Sequence, residues 1–291
     1  MPYAHPESLV STEWLAAHID RPDVRVFDAS FTLPNVKPTA QEEYARRHIP
    51  GAVFFDIDAI SDHANPLPHM LPSPEEFARM AGALGIGGDR QVILYDIAGF
   101  GSAPRAWWML RVFGHDKVAL LDGGLPKWLA EGRAVTSYVP QPKPVTFTPR
   151  FDPARVRSKA DLLANLQSKE AQVLDARSAG RFAGTAPEPR PGLRGGHIPG
   201  SINVPYDTLG DPKTRRYLPA EQIEARFRAA GVDRNKPIVT SCGSGVTACA
   251  LTFALHLLGW GKSAVYDGSW SEWGLENNDT PVATGSEAGG S

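Results

Sequence analysis

Short apolar runs, partly β-branched, recur along the chain at 24–29, 92–96 and 118–121, and again at 173–175, 238–241 and 264–266. They lack the apolar–polar alternation of a half-exposed strand. Runs of this kind predict strands buried on both faces of a parallel sheet. Helix signals fall between them. Ser11 and Ser158 stand where N-caps belong, and Asp161 sits three residues after Ser158 as in a capping box. Ser73, Pro74 and Glu76 bring a cap, a first-turn proline and an acidic third position together. Residues 104–113 and 246–258 are apolar stretches stopped by Gly114 and Gly259, the usual end of a helix. Strand and helix in alternation predict a layered α/β fold.

The two halves repeat one another. Val26-Phe27-Asp28-Ala29-Ser30 aligns with Val173-Leu174-Asp175-Ala176-Arg177, and Arg47-His48-Ile49-Pro50-Gly51-Ala52 with Gly196-His197-Ile198-Pro199-Gly200-Ser201. Asp122-Gly123-Gly124 and Trp128 align with Asp267-Gly268-Ser269 and Trp273. The offsets of 147, 149 and 145 residues are nearly constant, so the chain reads as two copies of one domain of about 130 residues. The expected division is a first copy at 1–136, a proline-rich linker at 137–153 and a second copy at 154–291.

Composition narrows the function. With 42% hydrophobic and 21% charged residues in 291, the chain has enough apolar material for real cores and too much for disorder. A formal charge of −2 with both signs interspersed argues against a nucleic-acid binder. The longest apolar stretch, 246–258, is short of the roughly 20 residues a bilayer span needs. Residues 1–11 do not read as a secretory signal, so no membrane partner and a cytoplasmic location are expected. Two cysteines, Cys242 and Cys249, are too few for a zinc site and poorly placed for a disulfide. Neither a metal nor an organic cofactor is expected, and at least one free thiol in a reducing compartment is.

Cys242 follows the apolar run 238–241 and precedes Gly243-Ser244-Gly245-Val246-Thr247 and the long apolar helix. It therefore lies at the carboxyl end of a parallel strand, where open α/β sheets place ligands, and at a helix start, where unpaired N–H groups converge. Such a setting favours a thiolate. Gly243 and Gly245 are expected to supply the unusual backbone angles of an anion-binding nest. Cys249, inside the apolar helix, reads as a buried inert thiol. The first copy has Asp96 where the second has Cys242, so it is expected to be non-catalytic and to form one wall of the cleft. His48 and His197 recur in both copies although the cysteine does not, and both read as structural.

The loop Cys242-Gly243-Ser244-Gly245-Val246-Thr247, the paired His-Ile-Pro-Gly segments and Asp267-Gly268-Ser269-Trp270 resemble the rhodanese superfamily over nearly the whole chain. Within it, Cys-Gly-Ser-Gly-Val-Thr is similar to the tandem-domain 3-mercaptopyruvate sulfurtransferases. Thiosulfate enzymes of that superfamily usually carry bulkier basic residues at the second and third loop positions. The resemblance implies two α/β domains, each a mainly parallel sheet with helices on both faces. It implies sulfur transfer from 3-mercaptopyruvate through a Cys242 persulfide to cyanide, a small thiol or thioredoxin, with pyruvate released. Gly243, Gly245, Val246 and Thr247 would contact the substrate. Arg181 and Arg190, in the segment Arg181 to Arg190, would hold its carboxylate, for which arginine's planar fork is suited. Asp58 and His69 would join Ser244 in a serine-protease-like relay.

Three alternatives stay open on the sequence alone. Thiosulfate:cyanide sulfurtransferase is the nearest. A cysteine-based phosphatase needs an arginine six positions after its cysteine, where this chain has Ala248. The third is a non-enzymatic sulfur-carrier module.

Overall fold

The computed structural model describes residues 2–261 and 263–285. Among the described residues, ten strands form two five-stranded sheets. The first holds β1 (Leu9–Val10), β2 (Val24–Asp28), β3 (Val53–Phe54), β4 (Gln91–Tyr95) and β5 (Val118–Leu121), in the order β1-β5-β4-β2-β3. The second holds β6 (Val156–Arg157), β7 (Gln172–Asp175), β8 (Ile202–Asn203), β9 (Ile238–Ser241) and β10 (Ser263–Tyr266), in the matching order β6-β10-β9-β7-β8. Every pairing is parallel. The six apolar runs are six of these strands, each end within one residue of its expected place. The other four span two residues each, too short to leave a pattern.

The helix signals hold. Ser11 accepts from the Trp14 N–H, and Ser73 and Ser158 close capping boxes with Glu76 and Asp161. Gly114 and Gly259 follow their helices in the left-handed region, at φ +87° and +65°. The helices Ala103–Val112 and Ala248–Leu257 are buried almost throughout and pack on one another. That is why their sequences are apolar all round rather than striped. With the inner faces of both sheets they make one continuous core across the two domains. The outer face of each sheet has a separate smaller core.

Residues 137–152 carry no helix or strand but do not hang free. Their backbone is tied along the first domain by Val145 N–H to the Gly82 carbonyl (2.9 Å), Arg150 N–H to Phe113 (2.9 Å) and Asp152 N–H to Val112 (2.8 Å). A Cβ on Gly82 would meet the Val145 carbonyl at 2.5 Å, so the close approach requires glycine.

The domains are joined by two related contacts. Asp122, after β5, accepts from Tyr217 N–H (3.0 Å) and Arg216 Nε (2.6 Å) of the second domain. Its repeat partner Asp267, after β10, accepts from Leu71 N–H (2.7 Å) and Arg105 Nη1 (2.6 Å) of the first. Arg105 has no exposed surface. Its guanidinium also donates to the Gly245 carbonyl (3.2 Å) and the His69 carbonyl, and lies 4.6 Å from the centre of the Trp108 ring.

Removing one member of a buried ion pair leaves the other charged in a low dielectric. Asp267→Ala is therefore expected to cost about 3–5 kcal/mol of stability, read as a lower urea midpoint. Asp122→Ala, whose Arg216 partner is half exposed, is expected to lower it less.

Candidate active site

Cys242 leaves the carboxyl end of β9 and is fixed on both sides by the segment after β10. Its N–H donates to Ser269 Oγ (3.2 Å) and its carbonyl accepts from Trp270 N–H (3.0 Å). The Gly243 carbonyl accepts from Ser271 N–H (2.8 Å) and Oγ (2.7 Å). Ser269 sits in the left-handed region at φ +48°, held by its own hydroxyl on the Tyr266 carbonyl (2.8 Å). Among the described residues, the N–H groups of Gly243, Ser244, Gly245, Val246 and Thr247 have no protein acceptor. All of these residues but Gly245 border a cavity of about 280 Å³ between the domains, lined also by Cys242, Arg181 and Arg190 and by Phe31, Leu33 and Ile97 of the first domain. Cys242 is only 2% exposed, so its sulfur is reached through this chamber.

The first domain shows what such a loop binds. Asp96 follows β4 as Cys242 follows β9. Its carboxylate accepts five main-chain N–H groups: Ala98 (2.8 Å) and Gly99 (2.6 Å) on Oδ1, and Gly101 (3.0 Å), Ser102 (2.7 Å) and Ala103 (2.8 Å) on Oδ2. The same turn is thus an occupied anion nest in one copy and an open one in the other.

The two loop glycines serve different ends. Gly245 has φ +76°, and a Cβ there would stand 2.8 Å from the Asp267 carbonyl. Gly243 is not in the left-handed region, which corrects the expectation of an unusual angle. A Cβ there would instead meet Arg181 Nη2 at 2.8 Å, so it is glycine for space.

Arg181 and Arg190 both line the chamber, but their charges differ in availability. Arg181 is held by Glu188, Nη2 to Oε2 at 2.5 Å and Nε to both oxygens at 3.2 Å. Glu188 also takes Arg177 Nη1 at 2.8 Å, and Arg177 pairs with Asp175 at 2.6 Å while stacking 4.2 Å over Trp270. Two arginines and two carboxylates balance. Arg190 has no carboxylate within ion-pair distance among the described residues. It donates Nη1 to Ser244 Oγ (3.3 Å) and Nη2 to His69 Nε2 (3.0 Å).

His69 Nδ1 lies 2.7 Å from Asp58 Oδ1, close enough for ion pairing but out of line for a directed hydrogen bond. A guanidinium can only donate, so Nε2 is the acceptor and the ring is neutral, with its proton on the Asp58 side. Burial pushes the imidazole below its usual range, opposed by Asp58. The Asp58 carboxyl is lowered, chiefly by its close contact with His69. Asp58 thus faces His69, and Arg190 stands between His69 and Ser244.

Glu188 and Arg105 escaped the sequence reading. Glu188 lies inside the arginine segment, and Arg105 is one of only two charged residues in its apolar helix. Cys249 is fully buried with its thiol on the Gly245 carbonyl (3.2 Å), and burial drives its pKa well up. His48 and His197 are buried, each with Nδ1 against a main-chain carbonyl, Tyr44 at 2.7 Å and Phe182 at 2.8 Å.

Residues 11–131 and 158–276 each match the family model described as the rhodanese-like domain. The chain belongs to the rhodanese family. Human 3-mercaptopyruvate sulfurtransferase is 45% identical over 272 residues, 91% of this chain and 91% of that protein. The thiosulfate sulfurtransferase of Cricetulus griseus is 45% identical over 273 residues, again 91% of each. Among solved structures, SseA from Escherichia coli, described with the rhodanese fold and mechanism of 3-mercaptopyruvate sulfotransferases, superposes with a TM-score of 0.83 at 42% identity. The match covers 91% of this chain and 99% of that one. The mercaptopyruvate and thiosulfate relatives are equally similar, so overall identity does not select the donor.

Three outcomes are expected. Iodoacetamide labels Cys242 in the native protein and Cys249 only after denaturation, read by peptide mass mapping. Gly243→Ala leaves stability near that of the parent and raises the donor KM, because the tip of Arg181 yields. Gly245→Ala forces a side chain into the left-handed region and costs about 1–2 kcal/mol, measured by thermal unfolding, with loss of activity.

Proposed function

We propose that this protein transfers sulfur from 3-mercaptopyruvate to a thiophilic acceptor through a persulfide on Cys242. The observation that carries the reading is the open ring of main-chain N–H groups around Cys242, beside a guanidinium that no carboxylate among the described residues pairs with. Main-chain donors without partners, fixed in place around a thiol, are suited to charge that develops during reaction.

In this reading the donor carboxylate is met by Arg190, with Arg181 on the same wall. As the carboxylate draws Arg190 away, His69 Nε2 and Ser244 Oγ lose the group between them and complete the relay with Asp58. The Cys242 thiolate attacks the donor sulfur. The carbon–sulfur bond breaks, its electron pair passing to the carbonyl as the enolate of pyruvate, which then takes a proton. The outer sulfur stays on Cys242 until an acceptor removes it.

The choice of donor rests on charge. Thiosulfate brings two negative charges, and the loop offers Gly243 and Ser244, both neutral, where cations would answer them. A keto acid with one carboxylate matches Arg190, the arginine of the chamber that has no carboxylate partner among the described residues. A cytoplasmic setting fits two free thiols, and no helix among the described residues is long and apolar enough to cross a membrane. Cyanide, small thiols and thioredoxin are the acceptors proposed.

Incubation with 3-mercaptopyruvate is expected to add one sulfur atom to the intact mass, and none in Cys242→Ser. The ratio kcat/KM is expected to favour 3-mercaptopyruvate over thiosulfate, and Arg190→Gln to lower it for that donor by ten-fold or more. Preference for thiosulfate would overturn the donor assignment.

A further inference from the structure

A second cavity, of about 530 Å³, adjoins the Cys242 chamber, and the two share Phe31, Leu33 and Arg190 as walls. Apart from Arg190 it belongs wholly to the first domain. One side is the irregular stretch 31–39, with Leu33 and Val36 over 40% exposed. The corresponding stretch of the second domain instead folds into the helix Ala179–Ala183. The groove is therefore a feature of one copy and not a by-product of the repeated fold.

We propose that this groove binds the sulfur acceptor, and that the acceptor is a small zwitterionic peptide thiol. The inference rests on the sulfurtransferase reading above. Three observations support it. At about 280 Å³ the Cys242 chamber suits a three-carbon acid, whereas 530 Å³ lies within the range of pockets that hold larger ligands. The groove carries both signs of charge. Lys37, exposed and paired with Glu42 at 3.1 Å, supplies an ammonium that a peptide carboxylate can share. Asp56 supplies a carboxylate for a peptide ammonium, with one oxygen used by the N–H groups of Asp58 (2.9 Å) and Ala59 (3.1 Å) and the other without a partner among the described residues. Finally, Arg190 is the partition, so its movement toward a carboxylate in one cavity changes the opening between both.

The chemistry balances without an outside oxidant. The acceptor thiol gives its proton to solvent, and its thiolate attacks the outer sulfur of the Cys242 persulfide. The new sulfur–sulfur bond forms as the old one breaks, and its electron pair returns to Cys242 as the thiolate. The acceptor leaves as a persulfide.

The test compares acceptors starting from the persulfide. Val36→Trp fills the groove from an exposed loop position outside the Cys242 chamber. With cysteinylglycine as acceptor, KM is expected to rise about ten-fold, while the KM for cyanide and the rate of persulfide formation stay unchanged. Lys37→Glu is expected to raise KM for cysteinylglycine but not for cysteamine, which lacks the carboxylate. Equal shifts for cysteinylglycine and cyanide, or no shift in either, would overturn the proposal. So would an effect confined to a protein dithiol such as reduced thioredoxin, which would make the groove a protein contact. The persulfide can be loaded from 3-mercaptopyruvate or from thiosulfate, so a wrong donor assignment leaves this comparison intact. A Cys242 that takes sulfur from neither donor would overturn both.

Discussion

The guanidinium of Arg105 is buried without exposure and holds together parts of the molecule that the chain keeps far apart. It comes from the first domain, yet it meets Asp267 and the Gly245 carbonyl of the second and the His69 carbonyl of its own. Taking a cation out of water is expensive, and close acceptors offset that expense. The Asp267 carboxylate, two carbonyls and the Trp108 face surround the two terminal nitrogens, while Nε has no acceptor among the described residues. The consequence is positional. The loop carrying Cys242 and the loop carrying His69 are fixed to the same cation, so their separation depends on domain docking and not on either domain alone.

The two copies use one scaffold for opposite purposes. After β4, a carboxylate from the chain fills the ring of N–H groups and makes the turn self-contained. After β9, a thiol stands there and the ring stays open. A filled nest is stable and inert. An open one is a store of unmet hydrogen-bond donors, tolerable because the surrounding backbone is pinned by Ser269, Trp270 and Ser271. The first domain keeps the fold with a carboxylate in place of the thiol, while its Phe31 lines the Cys242 chamber and its His69 meets Arg190.

Charge in the cleft is counted closely. Arg177 and Arg181 are balanced by Asp175 and Glu188, which leaves Arg190 as the arginine of the chamber without a carboxylate partner. One available positive charge beside neutral loop residues favours a monoanion over a dianion, and this electrostatic difference separates donors that overall similarity does not.

Much was legible along the chain because it is local. Buried parallel strands need unbroken apolar runs, helix starts need Ser11, Ser73 and Ser158, and a repeated fold leaves a repeated sequence. The turn that carries Cys242 was legible for the same reason, since a strand, a cysteine, two glycines and a helix are contiguous. What the chain could not reveal is which charges meet. Arg105 and Asp267 are 162 residues apart, and Arg190 reaches His69 across 121. The pairing of Arg181 with Glu188, the space that Gly243 leaves for that arginine, and the placing of Arg190 between His69 and Ser244 are likewise set by packing. Local rules govern hydrogen bonds between near neighbours. Side chains from distant segments meet only when both domains close on a common core, and only the tertiary structure decides which of them do.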